Sequence, residues 1–145
     1  MIVEDSADRK PFKLAVFDLD DTLVHEGFAD EHPILCDDTL GILTMLRDMG
    51  VKVALASHNH KSEVILQNSD IRHYFDSVQA YHDYTDKQSH LKNIMKELSI
   101  EPKQTVFFDD LIENLNGVAR LGVKVVPVSN IRGVTMSDIR TVFNV

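Results

Sequence analysis

Two acidic clusters carry the chemistry that this sequence can do. The first is DLDDTL at residues 18–23, directly after the apolar run KLAVF, and the second is Asp109–Asp110, directly after TVFF. Asp18 and Asp20 bracket a single leucine. A carboxylate at Asp18 can attack phosphorus directly, giving an acyl phosphate and splitting one hard displacement into two easier steps. A second carboxyl at Asp20 can protonate the leaving oxygen and then take a proton from the attacking water. An Asp cluster after a strand equally makes a turn or caps a helix, so the segment alone leaves both readings open. Asp109 and Asp110 add two acids, and carboxylates converging on one small site raise one another's pKa unless a cation intervenes. All-oxygen ligation with room for water and a phosphate points to Mg²⁺, which would also neutralise charge on the transferring group. The same pair can serve as an N-cap for the helix that follows.

Other polar groups stand at comparable places. Ser57 closes the apolar run VKVALAS, where its hydroxyl can donate to a phosphoryl oxygen or simply end a strand. A lysine would offset phosphate charge, but composition does not separate Lys87 from Lys92 or Lys96.

The elements that must position these groups alternate along the chain. Buried-strand runs occupy 13–18, 51–57, 105–110 and 123–128, with a weaker strand at 75–80. Helical patterns lie between them. One begins at Asp37, with Leu40, Leu43, Leu46 and Met49 three apart and Gly50 as its stop; others cover 61–68 and 111–121. Asp86 is placed to cap a helix carrying Leu91, Ile94, Met95 and Leu98, and Thr135 with Asp138 is spaced as a capping pair for a closing helix over 135–143. Strands separated by helices mean βα units. The fold class predicted is α/β, a three-layer sandwich around a central parallel five-stranded sheet. Ligands of such sheets bind beyond the carboxyl ends of the strands, and Asp18, Ser57 and Asp109–Asp110 are all strand ends.

Composition narrows the function classes. With 145 residues and no linker or repeat, the chain reads as one domain over 13–145, preceded by a polar leader over 1–12 that has no signal-peptide core. No apolar run reaches the ~20 residues of a membrane span. The single cysteine, Cys36, suits a reducing compartment, and the cytoplasm is the expected location. A net charge of −8 disfavours general nucleic-acid binding.

In order, Asp18-x-Asp20-x-Thr22, Ser57, Lys87 and Asp109–Asp110 resemble the four motifs of the haloacid dehalogenase superfamily. Within it the chain is similar to the magnesium-dependent phosphatases, through the run LAVFDLDxTL, the strand ending at Ser57, and VFFDD followed by Asn114 and ARLGV. The resemblance implies a Rossmannoid fold without a cap domain and a phosphatase acting through an aspartyl-phosphate intermediate. Asp18 would be nucleophile and metal ligand, and Asp20 general acid/base with its backbone carbonyl on Mg²⁺. Thr22 would brace the loop on the phosphate side, and Ser57 and Lys87 would bind the phosphoryl group; the spacing to Asp109 selects Lys87. Asp110 would be a direct metal ligand and Asp109 a more distant one. A flap after the first strand would fall at 24–29. The substrate would be a phosphorylated small molecule or a phosphoprotein, at an open site gated by the flap or by a second copy of the chain in a homodimer.

The family pattern has an aromatic residue where Asp21 stands and an arginine where His58 stands, so substrate preference does not carry over. His58 and His60 form an H-x-H pair without the further N or S donors that a zinc site needs. They read as rim residues, with His58 a candidate substrate contact, and Asn59 as a phosphate contact or a loop brace. Tyr81, His82 and Tyr84 fall at an entrance or in an ordinary loop. A different class is a phospho-accepting receiver module or a silent phosphate-binding module. A receiver expects its acceptor Asp after a middle strand and an acidic pair after the first. Here Asp20 supplies the base that hydrolyses an intermediate.

Overall fold

A computed structural model of the chain describes residues 12–25, 31–80 and 86–145. Residues 1–11 of the expected leader over 1–12, most of the expected flap, and Tyr81, His82 and Tyr84 lie outside the described residues. The elements run β1 (Leu14–Phe17), α1 (Thr39–Asp48), β2 (Lys52–Ser57), α2 (Ser62–Asn68), β3 (Ser77–Ala80), α3 (Lys87–Leu98), β4 (Thr105–Asp109), α4 (Ile112–Ala119), β5 (Lys124–Pro127) and α5 (Met136–Phe143). Short 3₁₀ turns precede β3 and β4, at Arg72–Tyr74 and Pro102–Gln104.

All five strands pair in parallel, in the order β3-β2-β1-β4-β5. The strands most continuous in apolar residues take the centre: Leu14–Phe17 is buried at every position, as is Thr105–Asp109. The outer strands are more polar, and Pro127 lies on edge strand β5, where its missing N–H disturbs no second ladder. Side chains alternate between the faces. Ala15, Phe17, Val53, Leu55, Val106 and Phe108 join Ile42, Leu43 and Leu46 of α1, Ile65 and Leu66 of α2, and Ile139 and Phe143 of α5. Leu14, Val16, Ala54, Ala56 and Phe107 meet Leu91, Ile94 and Met95 of α3 with Leu115 and Val118 of α4 on the other. The result is the expected three-layer sandwich with a parallel five-stranded sheet. A receiver of the flavodoxin-like kind has the order 2-1-3-4-5. The order observed here, with both acidic clusters on adjacent central strands, belongs to the other doubly wound arrangement.

Some expectations shift in detail. Leu40 is half exposed, while Thr39, Ile42, Leu43 and Leu46 face the sheet. Positions spaced strictly by three drift around a helix of 3.6 residues per turn, so the run from Leu40 to Met49 does not keep one face. The α4 helix stops at Ala119, two residues short of the apolar pattern. Caps fall where expected: the Asp86 side chain accepts from Ser89 N, and Thr135 and Asp138 form a reciprocal capping box.

The connection after β1, residues 18–38, is too short to hold a separate domain, and among the described residues nothing stands over the carboxyl edge of the sheet as a cap. Instead the β5–α5 turn packs against the loop after β1. Val134 N donates to Thr22 O at 2.9 Å, and Gly133 sits at φ +75°, where an added Cβ would lie 2.5 Å from Cys36 Sγ and 2.6 Å from Thr22 O. Gly133→Ala combines left-handed backbone with an overfilled contact. It is expected to cost about 2–4 kcal/mol of unfolding free energy in a urea titration.

Candidate active site

The register of the two central strands builds the site. Phe17 pairs with Phe108, their rings stacked 4.9 Å apart, so the next residue on each strand, Asp18 and Asp109, emerge side by side at the carboxyl edge. Asp18 N still donates to Phe108 O at 3.0 Å, which extends the ladder to the acid itself. Lys87, the first residue of α3, reaches in from the opposite layer. Its Nζ donates to Asp18 Oδ1 and to Asp109 Oδ2, both at 3.0 Å, with its side chain only 2% exposed. The lysine that composition left unresolved is thereby singled out by geometry.

Burial and charge compete here. Burial pushes the Asp18 carboxyl up to about 8, opposed by the Lys87 ammonium and reinforced by the Asp109 charge. Burial alone would depress Lys87, but Asp18 and Asp109 outweigh it and hold the amine above its ordinary value. Asp110 is raised by burial and by its neighbour Asp109. A pocket of acids that resist ionisation is short of positive charge, which is what a cation would supply.

The loop after Asp18 is wound tightly. Leu19 O accepts from the backbone N–H groups of Thr22, Leu23 and Val24, and Asp21 takes φ 61°, a conformation that Asp tolerates better than most residues. Thr22 is fully buried, and its hydroxyl donates to Asp18 Oδ2 at 3.3 Å, so it stands behind the acid as a brace. From the end of β2, the Ser57 hydroxyl accepts from Asn59 N at 3.0 Å, which leaves its own proton to be donated. The Asn59 amide donates to Asp20 Oδ2 at 3.2 Å.

The two adjacent acids on β4 differ in what they have left to give. Asp109 is fully buried; its Oδ1 accepts from Leu111 N at 2.9 Å and its Oδ2 from Lys87 and from Asn114 Nδ2, each at 3.0 Å. Asp110 is partly exposed and faces the cleft. One carboxylate oxygen from each of Asp18, Asp109 and Asp110 lies within 4.8 Å of the others. The donor set is hard oxygen throughout and fits Mg²⁺. Asp109 thus accepts from three donors, while Asp110 is the more exposed of the two.

A cleft of about 640 Å³ opens over this cluster. Asp18, Asp20, Ser57, His58, Asn59, Lys87 and Asp110 all line it, so the strand-end groups chosen from sequence do converge. Thr22 and Asp109 lie behind the wall rather than on it. His60, read from sequence as a rim residue, also reaches the cleft; Asp21, Leu111, Asn114 and Asn130 line it too, without having been placed there from sequence. Asn130 follows β5, and the strand-end rule extended to the fifth strand would have pointed to it. His90, fully buried one turn after Lys87 on α3, was missed too; its ring lies 5.1 Å from that of His58. A histidine within an apolar helical pattern gives no sequence signal of that contact.

Comparison with known proteins follows the same lines. The family described as Acid Phosphatase matches residues 28–143. Over 140 residues the chain is 29% identical to human magnesium-dependent phosphatase 1, covering 81% of this chain and 78% of that protein. The phosphatase-containing N-terminal part of a Bacteroides fragilis protein, complexed with Mg, superposes with a TM-score of 0.73 at 18% identity; the match spans 96% of this chain and 42% of that one. A Streptococcus pneumoniae hydrolase gives a TM-score of 0.76 at 14% identity over 93% of this chain and 100% of its own. At such identities these structures speak for the fold, and the family match speaks for descent. The chain belongs to the acid phosphatase family, with the capless phosphatase fold of the haloacid dehalogenase superfamily and kinship to the magnesium-dependent phosphatases.

Proposed function

We propose that the protein hydrolyses phosphomonoesters in a Mg²⁺-dependent reaction that passes through a phosphoryl group carried on Asp18. The observation that most supports this is the placement of the Asp18 carboxylate at the cleft floor, with Lys87 on one oxygen and Thr22 on the other. In the first step an Asp18 oxygen bonds to phosphorus as the bond to the leaving oxygen breaks, and Asp20, as the acid, gives its proton to that oxygen. In the second step water bonds to phosphorus, its proton passes to the Asp20 carboxylate, and the bond from phosphorus to Asp18 breaks. Asp18 returns as carboxylate, and inorganic phosphate leaves. Ser57 and Lys87 hold the phosphoryl oxygens, and Asp109 orients Lys87. Mg²⁺ on Asp18, Asp110 and the Asp20 backbone carbonyl would neutralise charge on the transferring group. His58 and Asn114 stand at the rim, where a leaving group would pass.

The test is hydrolysis of an activated aryl phosphate with Mg²⁺ and with EDTA, followed by a panel of phosphosugars, nucleotides and phosphopeptides to find the substrate class. Loss of turnover in EDTA and its return with added Mg²⁺ are expected. Turnover indifferent to chelation would contradict the metal assignment.

The pH behaviour follows from Asp18. Its folded pKa, about 8, lies above the unfolded value of 3.8, so between those limits the folded metal-free protein binds more protons than the unfolded chain. Asp110 is raised as well and acts in the same direction. Stability without metal should therefore be fullest below about pH 4 as far as these groups decide it, and fall as pH rises toward 8. Bound Mg²⁺ takes the place of the proton, so its affinity should rise across the same interval with proton release. Calorimetric titrations in two buffers of different ionisation enthalpy would read that release; binding that is independent of pH between 6 and 8 would count against it.

A further inference from the structure

Beyond the motif residues, we infer that Asn59 is a positioning residue that sets the orientation of Asp20 and so controls delivery of the proton to the leaving group; this rests on the phosphatase reading above. Three contacts fix Asn59. Its backbone N–H donates to Ser57 Oγ at 3.0 Å, its side-chain Oδ1 accepts from Lys61 N at 2.9 Å, and its Nδ2 donates to Asp20 Oδ2 at 3.2 Å. The first two make it a rigid part of the turn that joins β2 to α2. A further bond within the turn, Ser62 Oγ to Asn59 O at 2.6 Å, tightens the same corner. The third reaches 39 residues back in sequence to the loop after β1.

The amide orientation is determined by these contacts. Oδ1 must face Lys61 N, because a backbone N–H can only donate, and this turns Nδ2 toward Asp20. An amide donor on Oδ2 fixes the plane of the Asp20 carboxyl and so sets the direction in which its proton is delivered. The proton then moves from Asp20 to the leaving oxygen as the bond from that oxygen to phosphorus breaks and the bond from Asp18 forms. Sequence reading places Asn59 on the phosphate or as a loop brace. The geometry keeps the brace and adds a task, linking the loop that holds Ser57 to the acid on the loop after β1.

The link carries a signature that neither a phosphate contact nor a packing role would give. A good leaving group departs without help, whereas a poor one needs the acid. The experiment compares kcat/KM for an activated aryl phosphate and for an alkyl phosphate, with Mg²⁺, in wild type, Asn59→Ala and Asn59→Asp. The ratio kcat/KM stops at leaving-group departure, so it is blind to Asp20's later role as base. Asn59→Asp keeps the acceptor for Lys61 N, which guards against a variant that merely loosens the turn, and replaces the donor to Asp20 with a carboxylate whose charge acts on both esters alike, so its effect is read as the ratio between them. Asn59→Ala should lose about 10–100-fold on the alkyl ester, a fraction of the full general-acid effect, and less than about 3-fold on the aryl ester, and in Asn59→Asp the alkyl loss should exceed the aryl loss by a similar factor. Equal losses on both esters, or no loss on the alkyl ester in Asn59→Asp, would overturn the inference. Wild-type protein inactive on every phosphomonoester tried would instead remove the phosphatase reading, and this inference with it.

Discussion

Replacing Lys87 by methionine should cost the protein both its fold stability and its activity, by about 3–5 kcal/mol and about 10²–10³-fold respectively. The stability loss comes from what remains. Asp109 would lose its ammonium partner with its side chain 0% exposed, and Asp18, already pushed up to about 8, would lose the charge that opposes its burial. Asn114 and Leu111 N would still hold Asp109, but neither carries charge. Methionine fills a similar volume, so the cavity term is small and the effect is electrostatic. Mg²⁺ should restore part of the stability, because a cation on the same acids offsets the lost charge, but it should not restore turnover. Chemical denaturation with and without Mg²⁺ reads the first part, and kcat on an aryl phosphate the second. A Lys87→Met protein as stable as wild type in EDTA would contradict the ion-pair account.

Asp18→Asn should behave in the opposite way on stability and more severely on activity. The amide is nearly isosteric and carries no charge, so the burial that pushes the Asp18 carboxyl up to about 8 has nothing left to oppose. Unfolding free energy in EDTA near pH 8 should stay level or rise. Turnover should fall by about four orders of magnitude or more, since an amide oxygen cannot replace the nucleophile of a covalent route. The contrast separates the two residues: at Lys87 stability and catalysis fall together, while at Asp18 they part. Urea titrations of both variants at one pH would show it.

How far the sequence reveals this arrangement depends on the range of the interactions. The strand runs ending in Asp18, Ser57 and Asp109 are local signals, and burial of both faces of a central strand leaves an unbroken apolar run in the text. The capping residues Asp86 and Thr135 are equally local, and both are seen in place. Lys87 is different. Its partners lie 69 and 22 residues away, so composition alone cannot tell it from Lys92 or Lys96, and the family resemblance was needed to choose it. The division of labour between Asp109 and Asp110 likewise comes from the resemblance alone; the structure adds that Asp109 accepts from three donors. His90 and the amide link from Asn59 to Asp20 leave no mark in the sequence, because each depends on where a loop or helix surface arrives in space, whereas Asn130 is legible once the strand-end rule is carried to the fifth strand. Leu40 shows the converse: an apolar residue at a plausible spacing that the helical turn carries to the outside.

The covalent step itself is the point on which the rest depends. A 10-ms-to-second acid quench of enzyme, Mg²⁺ and an aryl phosphate, followed by borohydride reduction and peptide mass spectrometry, reads it directly. The expected result is conversion of Asp18, and of no other acid, to homoserine in the presence of substrate and Mg²⁺, with no conversion in EDTA. Rapid turnover with Asp18 unmodified at every quench time, or reduction at Asp20 or Asp110 instead, would contradict the assignment of Asp18 as the nucleophile.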